Sequence, residues 1–549
     1  MATMVELGKD AGRWESGFAK LLLARLLQGA ALFCGACEDP DAFDELTDEY
    51  RLSAIGPNVL VTPSPNSNAG LETSAVGFPS TNRVFVSYNS QDSELSCGWS
   101  HSSNGGGSFT STDHLSTPLP GFLGSDGSAF TKCLGDTWSA DVSHSLGSPM
   151  VAMVAVTKHA GSGGCNGSWY DVGMWTGAPN AFPSPGNVLL LSDQLGSGGC
   201  TDGPKIGWDP TNHKAWVWWW DDGRTFLRPV AVLNNGTMIP GATIELTGEL
   251  MADEKHATIA IKPGAGGAPP WIWLAYPTVV GDEDLKPCSV PGNWQTTAVT
   301  WWLSRSINDG ADWTHLQIDH DPAWPFCLSA NPLGGNRAIV SPIFEPNSGR
   351  LMLSYSRHID DENGDFVGTR VVTKMWPNKN NNQNLFTTWI PICNPDVCPN
   401  PPPTGKSCLV NGAPPAGESV CHQYGPGVGV KSSGTRRFAA VFHDTRDSDD
   451  FGFPNPDVGE TGIVNPLLSD IWGYSIRAGN LAGPEYTLDR ITPLVGNVPW
   501  AETSTDGNLW WGDYEDGVMG FGSRFHAVWG DDRDIGDGTT KLMGAAFNE

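Results

Sequence analysis

The residues of this 549-residue chain best suited to chemistry are carboxylates. Asp136, Asp513 and Glu515, with Tyr514 between the last two, supply groups for acid/base or nucleophilic work on a sugar carbon. Carboxylates held close push each other's pKa values apart, and a tyrosine can replace a carboxylate as nucleophile. Glu72, Asp202 and Glu254 offer hard oxygen ligands that could hold Ca²⁺, although nothing in the pattern requires a cofactor. Arg357, Arg446 and Arg533 each follow an apolar run and could fork onto a substrate carboxylate or sulfate. His256, Trp510 and Trp511 complete the set, the indoles suited to stacking on a sugar ring. A structural role stands beside each of these readings. Acidic side chains cap strand starts by accepting from backbone amides, and Asp444, Asp447, Asp531, Asp532 and Asp534 can pair with Arg446 and Arg533.

The elements that must position these residues are short strands. Gly (67) and Pro (42) are abundant, Trp reaches 24, and no amphipathic helical pattern follows the first forty residues. A formal charge of −28 would repel a phosphate backbone, which argues against nucleic acid as a partner. Setting aside Cys34 and Cys37, the remaining ten of twelve cysteines are an even set without zinc spacing, and five disulfides in an oxidising compartment are expected.

Lys20 precedes the apolar run LLLARLLQGAALFCGAC, which reads as an export signal interrupted by Arg25. Gly35, Ala36 and Cys37 resemble the end of a bacterial lipoprotein signal, so lipidation at Cys37 is one expectation and a plain signal peptide the other. The expected organisation is an export segment over 1–37, an acidic tether over 38–57 and one folded domain over 58–549, with no transmembrane segment and an extracellular or cell-surface location.

Within 58–549 one pattern recurs: a short strand, a turn, a strongly apolar aromatic strand, a variable loop, then two more strands. AVFHDTRD (440–447) and AVWGDDRD (527–534) lie 87 residues apart and agree at five of eight positions. Seven such strand pairs can be followed, from ETSAVGF with RVFVSYN to WGDYEDGVM with RFHAVW. A unit of this size cannot bury both faces of its sheet alone, so the units must stack. The last unit is one strand short, and VLVTP (59–63) stands unassigned before the first. A ring that uses this N-terminal strand to complete the last sheet leaves no open edge. The expected fold is therefore all-β, a single seven-bladed β-propeller closed by an N-terminal strand, with six or eight blades as alternatives. In the third unit, Trp216, Trp218 and Trp220 should face one neighbouring blade and Trp219 the other.

Two turns carry a family resemblance. SSNGGGSF (102–109) and SINDGADW (306–313) resemble the sialidase Asp box, Ser/Thr-x-Asp-x-Gly-x-Thr-Trp/Phe, with Asn104 and Asn308 in the Asp position. Asn can hold the same hairpin while Gly takes a positive φ and the aromatic ring anchors the turn. WWDDGRTF (219–226) falls directly after a second strand and reads as an ordinary Asp-Gly hairpin. With NAGLETSAV, LGDTWSADV and the last-unit segment, residues 58–549 resemble bacterial sialidase-like repeat proteins. The resemblance implies the fold and places the Asp boxes opposite the active face. The family's arginine motif before the first Asp box has no counterpart here, so its catalytic set does not transfer.

In such a ring the second-to-third and blade-to-blade connections share one face, here called the front. The segments 277–295, 358–368, 393–424, 447–469 and 493–509 are expected as long front loops stapled by cysteines. The starts of the innermost strands bring the carboxylates to the same face. The expected function is a secreted or surface-anchored glycosidase acting on a complex or acidic glycan. The alternative is a non-catalytic propeller that binds glycan or protein; the sequence does not indicate an oligomeric state. For a glycosidase, two carboxylates should stand about 5 Å apart for retention or roughly 6.5–9.5 Å for inversion.

Overall fold

Alternation along a strand decides what each side chain meets, and here both sides meet protein. On strand Leu351–Asp360, Leu351, Leu353 and Tyr355 pack with Trp273 and Trp301, while Met352 packs the other way with Phe438 and Trp472. Sheets buried on both faces must stack.

A computed structural model describes residues 59–62, 73–90, 96–112, 130–145, 147–159, 169–184, 186–192, 200–246, 257–264, 268–280, 296–325, 340–345, 349–376, 387–393, 408–410, 413–419, 421, 423–431, 436–444, 468–477, 486–490, 498–499, 517–522, 524–531 and 541–548. The chain divides into two compact units, Met1–Ala54 and Ile55–Glu549, and the described residues all belong to the second. The export segment lies outside them. Among the described residues no helix is long and apolar enough to cross a membrane.

Seven antiparallel sheets follow one another along the chain, four of four strands and three of five. Their first strands are Ser74–Phe78, Phe130–Asp141, Thr201–Asp209, Thr258–Lys262, Val340–Phe344, Gln423–Val430 and Gly517–Phe521. Each first strand touches that of the next blade, and that of blade 7 touches that of blade 1, so the ring is closed. Seven buried clusters fill the seven seams between blades. The chain is thus a seven-bladed β-propeller.

Closure uses the N-terminal strand as expected. Val59–Leu60 completes blade 7 by pairing antiparallel with Lys541–Asn548, Val59 opposite Gly544 and Leu60 opposite Met543. Val61 N donates to Leu542 O at 2.8 Å, and the Val61 side chain is buried beside Val84 and Tyr88 of blade 1. Near the axis the first strands approach so closely that a Cβ on Gly520 would collide with Val430 O, and one on Gly77 would lie 3.0 Å from Gly520 O.

The tryptophans fill seams. Trp216 and Trp218 pack toward blade 4 with Trp220 at the margin, and Trp219 packs toward blade 2. At 0% exposure, Trp219 cut to Ala would cost about 3–5 kcal/mol.

Three details differ from expectation. The first strand of blade 2 begins at Phe130 rather than Trp138 and contains Cys133, because irregular pairing continues the ladder beyond the regular stretch. Segment 358–368 is mostly strand, closed by a tight turn over 361–365 in which Asp361 Oδ1 accepts from Asn363 N at 2.8 Å and Asp365 N at 3.1 Å. Blades 3, 5 and 6 each carry an added short strand, Ile244–Glu245, Leu409–Val410 and Val498–Pro499.

Candidate functional site

The site begins with an irregularity that three blades share. In blade 2, Gly135 pairs with Val156 and Trp138 with Val154; in blade 3, Asp202 pairs with Trp220 and Lys205 with Trp218; in blade 6, Tyr424 pairs with His443 and Gly427 with Val441. Each innermost strand therefore carries one extra residue, a β-bulge, which bends the strand and re-aims its side chains. The first bulged residue is left-handed in all three: Asp136 at φ 50°, Gly203 at φ 56° and Gly425 at φ 59°. Glycine adopts that conformation freely; aspartate tolerates it better than most side chains, as Asp222 and Asp309 do in turns at φ 48° and 59°, but at a cost that glycine does not carry. Blades 3 and 6 use glycine; blade 2 uses an aspartate.

The bulge of blade 2 brings Asp136 to blade 3. Gly203 N donates to Asp136 Oδ2 at 3.4 Å and to Asp202 Oδ1 at 2.9 Å, so two carboxylates from adjacent innermost strands meet on one amide. Both residues are half-buried. At the position after each bulge, Trp138 and Lys205 also meet, with the ammonium 4.5 Å from the indole centroid. Lys205 is 2% exposed, so a buried cation lies on the same two strands as the paired carboxylates.

Blade 1 holds the bulge in place. The disulfide Cys97–Cys133 ties the third strand of blade 1 to the first of blade 2, and Gly135 N donates to Cys97 Sγ at 3.3 Å. Thr137 N donates to Asn89 Oδ1 at 3.4 Å, and a Cβ on Gly135 would lie 2.9 Å from the Asn89 carboxamide. Ser139 N donates to Ser74 Oγ at 3.1 Å, and Ser87 Oγ donates to Ser139 Oγ at 3.3 Å. Asp136 is thus clamped on both sides of its strained position.

Asp136 and Asp202 are the two predicted site residues that the structure brings together. Arg357 stands apart from them on blade 5. Its Nη1 donates to both oxygens of Asp319 at 3.0 and 3.1 Å, Lys374 Nζ lies 3.1 Å from Asp319 Oδ2, and Tyr355 donates its hydroxyl proton to the same oxygen at 2.6 Å. Burial alone would raise the Asp319 carboxyl, but Arg357, Lys374 and the Tyr355 hydroxyl bring it below its ordinary value. Glu72, Glu254, His256, Arg446, Trp510, Trp511, Asp513, Tyr514, Glu515 and Arg533 lie outside the described residues.

No group of three His, Cys, Asp or Glu side chains that includes Asp202 comes close enough to share an ion among the described residues. The one cluster with suitable spacing, Cys393, Cys421 and Asp444, is formed around a disulfide, and Asp444 Oδ2 already accepts from Gln423 Nε2 at 2.8 Å. All six described cysteines, Cys97, Cys133, Cys200, Cys393, Cys408 and Cys421, are disulfide-bonded, as suits an oxidising compartment.

Sequence reading missed Lys205 and Asn89. The signal for the bulges was present: Gly-Pro recurs at 203–204 and 425–426 near the start of a first strand. The aspartate of blade 2 breaks that repetition.

The back face carries the two repeated turns. In the first, Ser102 Oγ accepts from Gly106 N at 2.9 Å and Asn104 Oδ1 accepts from Ser108 N at 2.9 Å. In the second, Ser306 Oγ accepts from Gly310 N at 2.9 Å and Asn308 Oδ1 from Asp312 N at 3.0 Å. Both join the third and fourth strands of a blade, and Gly106 and Gly310 have φ of 86° and 81°. Asp222 and Gly223, at φ 48° and 75°, instead form a two-residue hairpin between the second and third strands of blade 3.

No family model matches the chain, and no curated protein matches it. Among solved structures, a polysaccharide lyase of the ulvan lyase family superposes with a TM-score of 0.41 at 10% identity, covering 86% of this chain and 93% of its own. A Trypanosoma rangeli sialidase gives 0.36 at 9%, covering 78% and 57%, and a Penicillium chrysogenum alpha-L-arabinanase gives 0.35 at 9%, covering 71% and 94%. These superpositions are weak, and the ring described above stands on its own strand pairing.

Proposed function

We propose that this chain is an exported, carbohydrate-active propeller of the sialidase-like Asp-box class that hydrolyses a glycosidic bond on its front face, with Asp136 as acid/base. The observation that supports this most directly is an aspartate held at φ 50° where two other blades use glycine, facing a second carboxylate across a shared amide. A strained polar residue clamped by a disulfide and by neighbouring side chains is the arrangement expected where chemistry, rather than folding, selects the residue. The Asp136 carboxylate, half-buried beside Gly203 N, is the group placed to exchange a proton with a leaving oxygen.

In this reading Asp513, Tyr514 and Glu515 supply the second reacting group. Arg357, Arg446, Arg533, His256, Trp510 and Trp511 bind the glycan, Glu72, Asp202 and Glu254 are the residues for Ca²⁺, and Cys37 is the lipid anchor. The turns at Ser102 and Ser306 are divergent Asp boxes.

A glycan-library hydrolysis screen tests the proposal, with wild type beside Asp136→Asn and an Asp513→Asn/Tyr514→Phe double variant. The expected result is product from an acidic or complex glycan, lost in both variants with folding intact. Absence of product from every glycan, with glycan-array binding retained, would establish the non-catalytic alternative instead.

A further inference from the structure

A concave site lies on the back face, away from the carboxylate pair. It is a cleft of about 380 Å³ where blades 1, 2 and 3 meet, within the range of small-molecule sites, roughly 300–1,000 Å³. Its polar lining is Arg83, Ser148, Ser184, Asn187, Asn234 and Asn235, and Pro149 and Met150 give it an apolar side. These come from connections between first and second or third and fourth strands, which places the cleft on the back.

Among the described residues that line the cleft, none is acidic. On a chain of net charge −28 this is a local reversal, with one guanidinium as its charge. Arg83 Nη1 donates to Asn180 Oδ1 at 3.0 Å, which steadies the guanidinium while other N–H groups remain for a ligand. The walls are braced as well: Asn187 Nδ2 donates to Asn235 O at 3.0 Å, Thr176 Oγ1 donates to Gly236 O at 2.6 Å, and Thr237 N donates to Asn235 Oδ1 at 3.1 Å.

The geometry points to a binding site for a carboxylate-bearing sugar, such as a uronic or sialic acid unit, independent of any reaction on the front. Arg83 pairs with the carboxylate, the carboxamides and serine hydroxyls exchange hydrogen bonds with ring hydroxyls, and Pro149 and Met150 cover a C–H face. The site would hold an acidic glycan against the back of the propeller without cleaving it.

Calorimetric titration of the full chain with glucuronic acid, N-acetylneuraminic acid, glucose and inorganic sulfate tests this. At least one acidic sugar should bind, about tenfold or more tighter than glucose and sulfate. Arg83→Gln should weaken that binding by about tenfold or more, because a charge-assisted pair is lost. Gly147→Leu should do the same by filling the cleft, since Gly147 lines it and its Cβ position looks onto open space. Asp136→Asn should leave this binding unchanged, and melting temperatures confirm that each variant is folded. The proposal is overturned if neither acidic sugar binds, if glucose or sulfate binds equally well, if both back-face variants bind as wild type, or if only Asp136→Asn loses binding. The last result would move the ligand to the front face and leave the glycosidase reading standing.

Discussion

Asp136 and Asp202 accept hydrogen bonds from the same donor, Gly203 N, at 3.4 and 2.9 Å. Neither residue is near the other in sequence, and neither strand would bring them together if it were regular. The extra residue in each strand does it. The bulge of blade 2 carries Asp136 toward blade 3, and the bulge of blade 3 leaves Gly203 N out of its own ladder and available to both carboxylates.

Asp136→Gly should separate stability from function. Glycine relieves the strained φ, so the melting temperature should hold or rise, by the equivalent of about 1 kcal/mol. Turnover of any glycan substrate should fall by about a hundredfold or more, the usual contribution of a general acid or base. A stable Asp136→Gly protein that retains full turnover would remove Asp136 from the chemistry.

Asn89→Ala should act on the site through position. Asn89 accepts from Thr137 N at 3.4 Å and packs on Gly135, so its loss frees the bulge. We expect lower kcat at an unchanged KM, because a freed bulge moves the Asp136 carboxylate away from the reacting bond without touching the groups that hold the substrate. A change in melting temperature alone, with kinetics as wild type, would make Asn89 purely structural.

The turns at Ser102 and Ser306 should contribute separately. Each hydroxyl accepts from a buried glycine amide at 2.9 Å, so Ser102→Ala and Ser306→Ala should each destabilise by about 1 kcal/mol. They share no partner, and the double variant should sum the two within about 0.5 kcal/mol in urea unfolding.

Arg370 and Glu418 are both fully buried, 3.8 Å apart. Arg370 also donates from Nη2 to Ser419 O at 2.8 Å and from Nη1 to Cys421 O, so it anchors the segment closed by the Cys393–Cys421 disulfide. Arg370→Met should cost about 3–5 kcal/mol by taking the cation away from a buried carboxylate, and Arg370→Met/Glu418→Leu should recover part of it. Urea midpoints distinguish this from simple additivity.

His526 should make stability depend on pH. Burial, with a smaller effect of Arg524, lowers its pKa from 6.5 to about 4. The unfolded chain therefore takes up a proton before the folded chain does. Stability from this residue is full above about pH 6.5 and falls as the pH drops toward about 4, at up to about 1.4 kcal/mol per pH unit. His526→Phe should flatten the melting-temperature profile in that window; an unchanged slope would assign the acid sensitivity to other groups.

The fold was legible because a propeller repeats its physics. Alternating apolar residues buried on both faces, seven times over, leave no partner but the next blade, and a strand left over at the N-terminal end has one economical use in the last blade, which is one strand short. The Val59–Leu60 pairing with blade 7 and the opposite facings of Trp218 and Trp219 follow from period and count, both local properties of sequence. The paired turns at Ser102 and Ser306 were legible for the same reason, since a hairpin closed by its own side chains is specified within eight residues. The site was only half legible. Sequence named Asp136 and Asp202 as acidic residues near strand starts, but their meeting at Gly203 N depends on two bulges and on how two blades pack. Likewise it showed Arg357 at a strand end, while only tertiary packing set it against Asp319 from the neighbouring blade. Local pattern fixes what a strand buries; contacts between blades depend on residues far apart in the chain, and no short-range periodicity encodes them.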